Sequence, residues 1–268
     1  MQIDEPNRLP PTLPRETDHT ITSVLVTAEQ VEKVLREVDV GKATGPDNIS
    51  PRLLKNCAKE LSVPLAQIFA ACLEEKKWPA AWKEANVVPV HKKDSRTDPS
   101  HYRPISLLSI MGKVFERMVA AVLGQHLTDN NLLSPRQYGF RPGRSTSDLL
   151  LHLSQEWQDT LDEGLDTLVV ALDIAGAFDR VWHSGLLAKL CAKGVDGDLL
   201  ALLGDYLHGR TLRVVINGRA STPAPVGASV PQGSVLGPLL WNIYTRPSKQ
   251  RTSHQQTLET RDKFWSPV

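Results

Sequence analysis

The 268-residue chain has only three cysteines, Cys57, Cys72 and Cys191, and they stand far apart. With no CxxC pair and no histidine at a zinc-finger offset, a disulfide-stapled scaffold and a structural zinc finger are excluded. The three read as buried apolar residues of a reducing compartment. No window supplies the roughly 18 or more consecutive apolar residues of a membrane span, and the start MQIDEPNRLPPTLPRE is neither a signal peptide nor an Arg-rich presequence. A cytoplasmic or nuclear location, with no membrane partner, is the expectation. HExxH, GxSxG, GxxxxGKS and GxGxxG are all absent, which sets aside zincin, serine-hydrolase, P-loop and Rossmann chemistry.

What is present is the composition of an ordinary globule, 41% hydrophobic and 23% charged, long enough for one or two domains with a sizeable core. The formal charge is only +1, but residues 76–150 hold 12 Lys+Arg against 6 Asp+Glu while the rest holds 19 against 24. That asymmetry allows a basic surface for a phosphate-bearing partner without a high overall pI.

Residues 1–23 form a polar, Pro-rich arm, read as disordered. Thr27 with Gln30 makes a capping box for a helix carrying Val31, Val34, Leu35 and Val38 on one face. GKATGPDN at 41–48 breaks it, and a second helical region runs from Pro51 to Leu73 with an interruption expected near Pro64. ANVVPVHKK, 85–93, reads as a strand, SRTDPSHYRP as a polar loop, and 109–127 as a helix. A basic loop, 134–147, leads into a helix at 147–162. TLVVALD, 167–173, has the continuous β-branched character of a strand buried on both faces, and TLRVVING ends at Asn217–Gly218, the strongest hairpin signal in the chain. PQGSVLGPLLWNIY, 231–244, reads as a glycine-rich turn into an apolar helix. From Thr245 onward the chain is polar and aperiodic.

Several residues carry candidate chemistry. Asp173, where a buried strand would emerge, is placed to hold a divalent metal against phosphate oxygens, or to cap the following helix. Asp179, six residues on, either shares that site or pairs with Arg180. Phe178 packs in the core or walls a sugar pocket, and Gln232 is the polar side chain best placed to touch a ligand beside glycines that let backbone approach closely. Lys92, Lys93, Arg96, Arg103, Arg141 and Arg144 offer point charges and forks for phosphates, or a solvated basic face. Tyr102, Tyr138 and Phe140, interleaved with them, stack on bases or pack.

GKATGPDNI, NVVPVHKKDS, HYRPISLLSIMGKVFERM, QYGFRPGRST, LDIAGAFDRVWHSGLLAKL and VPQGSVLGPLLWNIY stand in the order found in one family. From about Val24 to Tyr244 the chain resembles the reverse transcriptase domain of non-LTR retrotransposons of the jockey or chicken-repeat type. The resemblance implies an α+β polymerase right hand: fingers over 24–165, a partial palm over 166–244 with its antiparallel sheet incomplete, no thumb, and a tail outside the family pattern over 245–268. It implies RNA-directed DNA polymerase activity, two-metal phosphoryl transfer from a dNTP to a primer 3′-OH on an RNA template, with Mg²⁺ as cofactor and RNA template, DNA primer and dNTP as partners. Asp173 with the backbone oxygen of Ile174 would bind metal, Asp173 and Asp179 would be the catalytic acids, and Phe178 would reject a ribose 2′-OH. Arg103 and Lys92 or Lys93 would contact the triphosphate, Gln232 and Gly233 the nascent pair, and Arg141, Arg144 and Tyr138 the template or primer.

The printed sequence departs from the family in three places. A Tyr-Ala-Asp-Asp motif is expected after NIY and is absent; Ser229 takes a glycine place before VPQG; Gly176 takes a lysine place. The expectation is therefore a chain without polymerase activity of its own, the alternatives being a nucleic-acid-binding remnant or an unstable translated fragment.

Overall fold

The computed structural model describes residues 9, 10, 12–92, 95–174 and 176–246. Lys93 and nearly all of the 245–268 tail lie outside them. The fold is α+β, a mixed sheet flanked by helices.

The Thr27 capping box forms as expected: the Thr27 amide donates to Gln30 Oε1 at 3.0 Å and the Gln30 amide to Thr27 Oγ1 at 3.3 Å. It starts α1 (Ala28–Arg36), whose Val31 and Leu35 are fully buried. The GKATGPDN loop then packs on the start of α5 (Ile110–Asp129). A Cβ on Gly45 would lie 2.5 Å from the backbone of Leu108 and Ser109, and Asp47 accepts a 2.6 Å hydrogen bond from the α5 cap, Ser109. This motif is spent on packing.

The second helical region is broken, but at Cys57: α2 (Pro51–Asn56) ends there and α3 (Ala58–Glu75) runs straight through Pro64. Pro64 lies on the solvent face, where water can take the carbonyl its missing amide releases, while Leu65, Phe69 and Cys72 bury the opposite face. After the single turn α4 (Ala80–Lys83), β1 (Glu84–His91) forms the middle of the sheet.

The polar loop expected after β1 contains a strand instead. β2 (Tyr102–Leu107) pairs antiparallel with β1 from Asn86↔Leu107 to His91↔Tyr102. Arg103 and Pro104 disguise it in sequence, and both are tolerated because β2 is an edge strand. On the other side β1 runs parallel to β3 (Arg210–Ile216), in register Glu84↔Thr211 to Val87↔Val214. The Asn217–Gly218 turn has φ of +50° and +76°, as a two-residue hairpin requires, and returns the chain as β4 (Arg219–Ala220). β5 (Ala224–Val226) pairs with the start of β3.

The expected strand at 167–173 is not formed. Among the described residues, 165–174 pair with no strand and are exposed, Leu168 to 89%. A strand apolar on both faces needs neighbours on both edges and a cover on both faces, and no strand among the described residues supplies them. The helix before it, α6 (Thr146–Asp162), is capped by a Ser145–Asp148 box yet has no buried residue.

The chain closes through α7 (His183–Ala192), α8 (Gly197–Leu207), which periodicity had not marked out, and α9 (Leu236–Thr245). One core runs from Val24 to Ile243, so residues on both sides of the expected 165/166 boundary share it. At its centre Phe115 stacks on Trp78 at 4.5 Å and on Phe69 at 4.8 Å, with Tyr206 edge-on to Trp78 at 4.9 Å. The polar arm is ordered over residues 12–22: the Glu16 amide donates to Ala192 O at 2.7 Å, and the Ile21 amide to Gly194 O at 2.8 Å.

Inside this core lies a carboxylate. Glu116 of α5 accepts from the amides of Val235 and Leu236 at 2.6 and 2.9 Å and so caps α9 from another helix. Burial pushes its carboxyl pKa up, opposed by those two amides and by the charges of Arg210 and Lys113. Arg210, also buried, donates to Tyr206 O at 3.0 Å. Removing Glu116 leaves two amides and a guanidinium buried, so Glu116→Ala is expected to cost about 3–5 kcal/mol in urea unfolding. Because the folded state holds this proton more tightly than the unfolded chain, the contribution of Glu116 to stability falls as pH rises from about 4.5 towards its raised folded value. Glu116→Gln is expected to remove that slope, read as the difference between the two proteins in urea midpoints across pH.

Candidate nucleotide and nucleic-acid interface

Three segments meet at one end of the sheet. The short 3₁₀ turn Phe178–Arg180 is crossed by residues 229–233: the Val230 amide donates to Phe178 O at 3.0 Å, and the Ser229 amide to Val181 O at 3.2 Å. The Pro231–Gln232–Gly233 turn leans on β2, with the Ser106 amide donating to Gln232 O at 3.3 Å. Gly233 has φ +97°, and a Cβ there would stand 2.9 Å from Ser106 O, so glycine is required by both conformation and contact. Beside this crossing lies a cleft of about 390 Å³, lined among others by Val87, Ser106, Val214, Asp179 and Gln232.

Asp179 and Gln232 line the same cleft, and the Gln232 side chain and the positive charge of Lys92 both favour the Asp179 carboxylate electrostatically. Part of it reaches solvent, but the surrounding protein raises its pKa overall, against the pull of those two partners. Lys92 directly follows β1, and Arg103 lies opposite Val90 on β2, so both occupy the same end of the strand pair. Phe178 is held on two sides, stacked on Trp241 at 5.4 Å and 22° and edge-on to Phe140 at 5.8 Å.

The basic loop is fastened to α9 by a residue that sequence reasoning passed over. Asn242, buried in an otherwise apolar helix, donates to Gly139 O at 3.3 Å and Phe140 O at 3.1 Å and accepts from Gln137 at 3.3 Å. An amide inside LLWNIY is itself the signal: a buried polar side chain needs partners. Arg141 donates to Ser134 O, and Arg144 to Pro135 O, with the Arg144 guanidinium 5.1 Å from the centre of the Tyr138 ring.

The structure thus puts Asp179 and Gln232 on one cleft beside Phe178, packs Gly233 on β2, places Lys92 and Arg103 at one end of the β1–β2 pair, and carries Arg141, Arg144 and Tyr138 on the loop attached to α9. Asp173 and Ile174 are not brought in; both are exposed on the unpaired 165–174 stretch. Among the described residues no three His, Cys, Asp or Glu side chains gather as a metal site.

The α+β fold, a mixed sheet flanked by helices, is consistent with the fingers and partial palm of a nucleotide polymerase. A family model described as reverse transcriptase (RNA-dependent DNA polymerase) matches residues 90–262. The probable RNA-directed DNA polymerase from transposon BS of Drosophila melanogaster is 34% identical over 221 residues, covering 82% of this chain and 24% of the relative. The RNA-directed DNA polymerase from mobile element jockey of the same species is 33% identical over 220 residues, with the same coverage of each. The chain belongs to the reverse transcriptase family, as a domain of the jockey-type non-LTR retrotransposon group. It spans about a quarter of the length of these relatives.

Ser229, which stands in a glycine place, has φ +127°, a conformation that an L side chain rarely adopts. Ser229→Gly is expected to relieve strain worth about 1–3 kcal/mol, less about 0.5–1 kcal/mol of added chain entropy. The net gain should raise the thermal midpoint by a few degrees, read by circular dichroism.

Proposed function

We propose that this chain supplies the fingers (24–165) and first part of the palm (166–244) of a mobile-element RNA-directed DNA polymerase, gripping RNA template, DNA primer and dNTP. The observation that carries this reading is the cleft lined by Asp179 and Gln232, next to Phe178 stacked on Trp241. Arg103 and Lys92 or Lys93 would meet the triphosphate, Gln232 and Gly233 the nascent pair, and Phe178 the sugar face. Arg141, Arg144 and Tyr138 would hold the template or primer strand, guanidinium to phosphate and ring to base.

Magnesium use is expected of the reverse transcriptase family generally, supplying two ions that activate the primer 3′-OH and steady the triphosphate. Among the described residues no three His, Cys, Asp or Glu side chains gather to hold that pair of ions; Asp173 with Ile174 is the donor set the resemblance offers. From the absence of a Tyr-Ala-Asp-Asp motif in these 268 residues, we infer that they bind primed template without extending it. The cation-rich end of β1–β2 and the arginine loop support binding.

With primed RNA, dNTPs and Mg²⁺, incorporation is expected to stay at the level of Asp173→Ala. Incorporation that Asp173→Ala abolishes would overturn the inactive reading and leave the family role intact. Filter binding of the same primed template should weaken steeply with salt, and an Arg141→Ala/Arg144→Ala protein should show a log–log salt slope shallower by about 2. The exposed apolar run at 165–174 favours a second reading, an unstable translated fragment. A non-cooperative thermal transition together with no binding of primed template would select it.

A further inference from the structure

The N-terminal arm is bound more tightly than its composition suggests. Residues 12–22 follow the α7–α8 connection, where the Asp196 amide donates to Ile21 O at 2.9 Å and the Leu199 amide to Thr22 O at 2.8 Å, in addition to the bonds from Glu16 and Ile21. Gly194, at φ +82°, makes room for the arm; a Cβ there would lie 2.1 Å from His19 O. Arg15 pairs with Asp196 at 2.7 Å on the outside.

The inner contact is an ion pair. Both carboxylate oxygens of Glu16 lie 3.0 Å from Lys193 Nζ, with Glu16 4% and Lys193 1% exposed. Lys193 also donates to Leu132 O at 3.2 Å, and His126 of α5 reaches the Lys193 carbonyl at 2.7 Å. Glu16 also pairs with Arg246 at 3.9 Å, and among the described residues the buried Nη1 of Arg246 has no hydrogen-bond partner. Lys189, under the attraction of Glu16, donates to the carbonyls of Tyr244 and Arg246 at the C-terminal end of α9. One carboxylate from the arm therefore balances three cations gathered around the end of α9.

The same helix carries Trp241 under Phe178 and Asn242 on the 134–144 loop. We propose that residues 12–22 are a latch: the Glu16–Lys193 pair docks the arm, and through Arg246 and Lys189 the docked arm holds the C-terminal end of α9 and the basic loop attached to it in place. Glu16 and Lys193 are positioning residues in this device, and the latch stands whether or not the polymerase reading does.

Hydrogen–deuterium exchange on the full chain tests it, reading peptides that cover 12–22, 134–144 and α3. Glu16→Gln and Lys193→Met are each expected to speed exchange at least tenfold in both 12–22 and 134–144 while α3 stays protected. The double variant should open less than either single one, because it leaves no charge buried without its partner. Asn242→Ala should open 134–144 and leave 12–22 closed, giving the link its direction. Arg15→Ala, which breaks only the outer pair, should change exchange less than twofold. Unchanged exchange at 12–22 in the single variants would overturn the latch, as would α3 opening in step with the arm. Opening of 12–22 with 134–144 still protected would overturn its connection to the loop.

Discussion

The burial of Glu116 is the constraint on which most of the structure depends. A helix N-terminus inside a core leaves amides with no partner, and a carboxylate inside a core has no water; placed together, each removes the other's cost. Glu116 reaches from α5 to the first amides of α9, and Arg210 at the start of β3 contributes the balancing positive charge. Three elements distant in sequence are thereby locked into one register, with Tyr206 of α8 packed beside them. An apolar side chain at 116 would fill the space and leave α9 uncapped.

From that lock the candidate site inherits its geometry. Once α9 is fixed, Trp241 presents a face to Phe178 and Asn242 draws the arginine loop against the helix. The preceding turn then lies against β2, so that Gln232 lines the same cleft as Asp179. Apart from Arg103 on β2, the candidate binding groups are thus carried on loops and turns, but each is fastened at a defined backbone atom to a strand or helix of the core. Ser229 is the exception to this economy, a side chain held where glycine fits better.

The 165–174 stretch shows the opposite situation. Its β-branched residues favour a strand, yet a strand is stable only when its edges are paired and its apolar faces covered. Here propensity had no partner to act on, and Leu168, Val170 and Leu172 face solvent. The arm at 12–22 errs in the other direction: Pro-rich and polar, it reads as loose, but a buried ion pair and four backbone hydrogen bonds hold it to α7 and α8.

Local features were legible in the sequence alone: the Thr27 cap, the Asn217–Gly218 hairpin, the glycine turn before α9 and the family motifs that name the polymerase. Each depends on residues a few positions apart, where backbone preference and short-range hydrogen bonding dominate. Tertiary structure alone decided that Pro64 stays inside a helix, that Tyr102–Leu107 pairs as an edge strand, that Glu116 caps a distant helix and that Asp179 rather than Asp173 lies at the cleft. Those outcomes turn on which face meets water and which groups meet across more than a hundred residues, quantities that only the packed chain possesses.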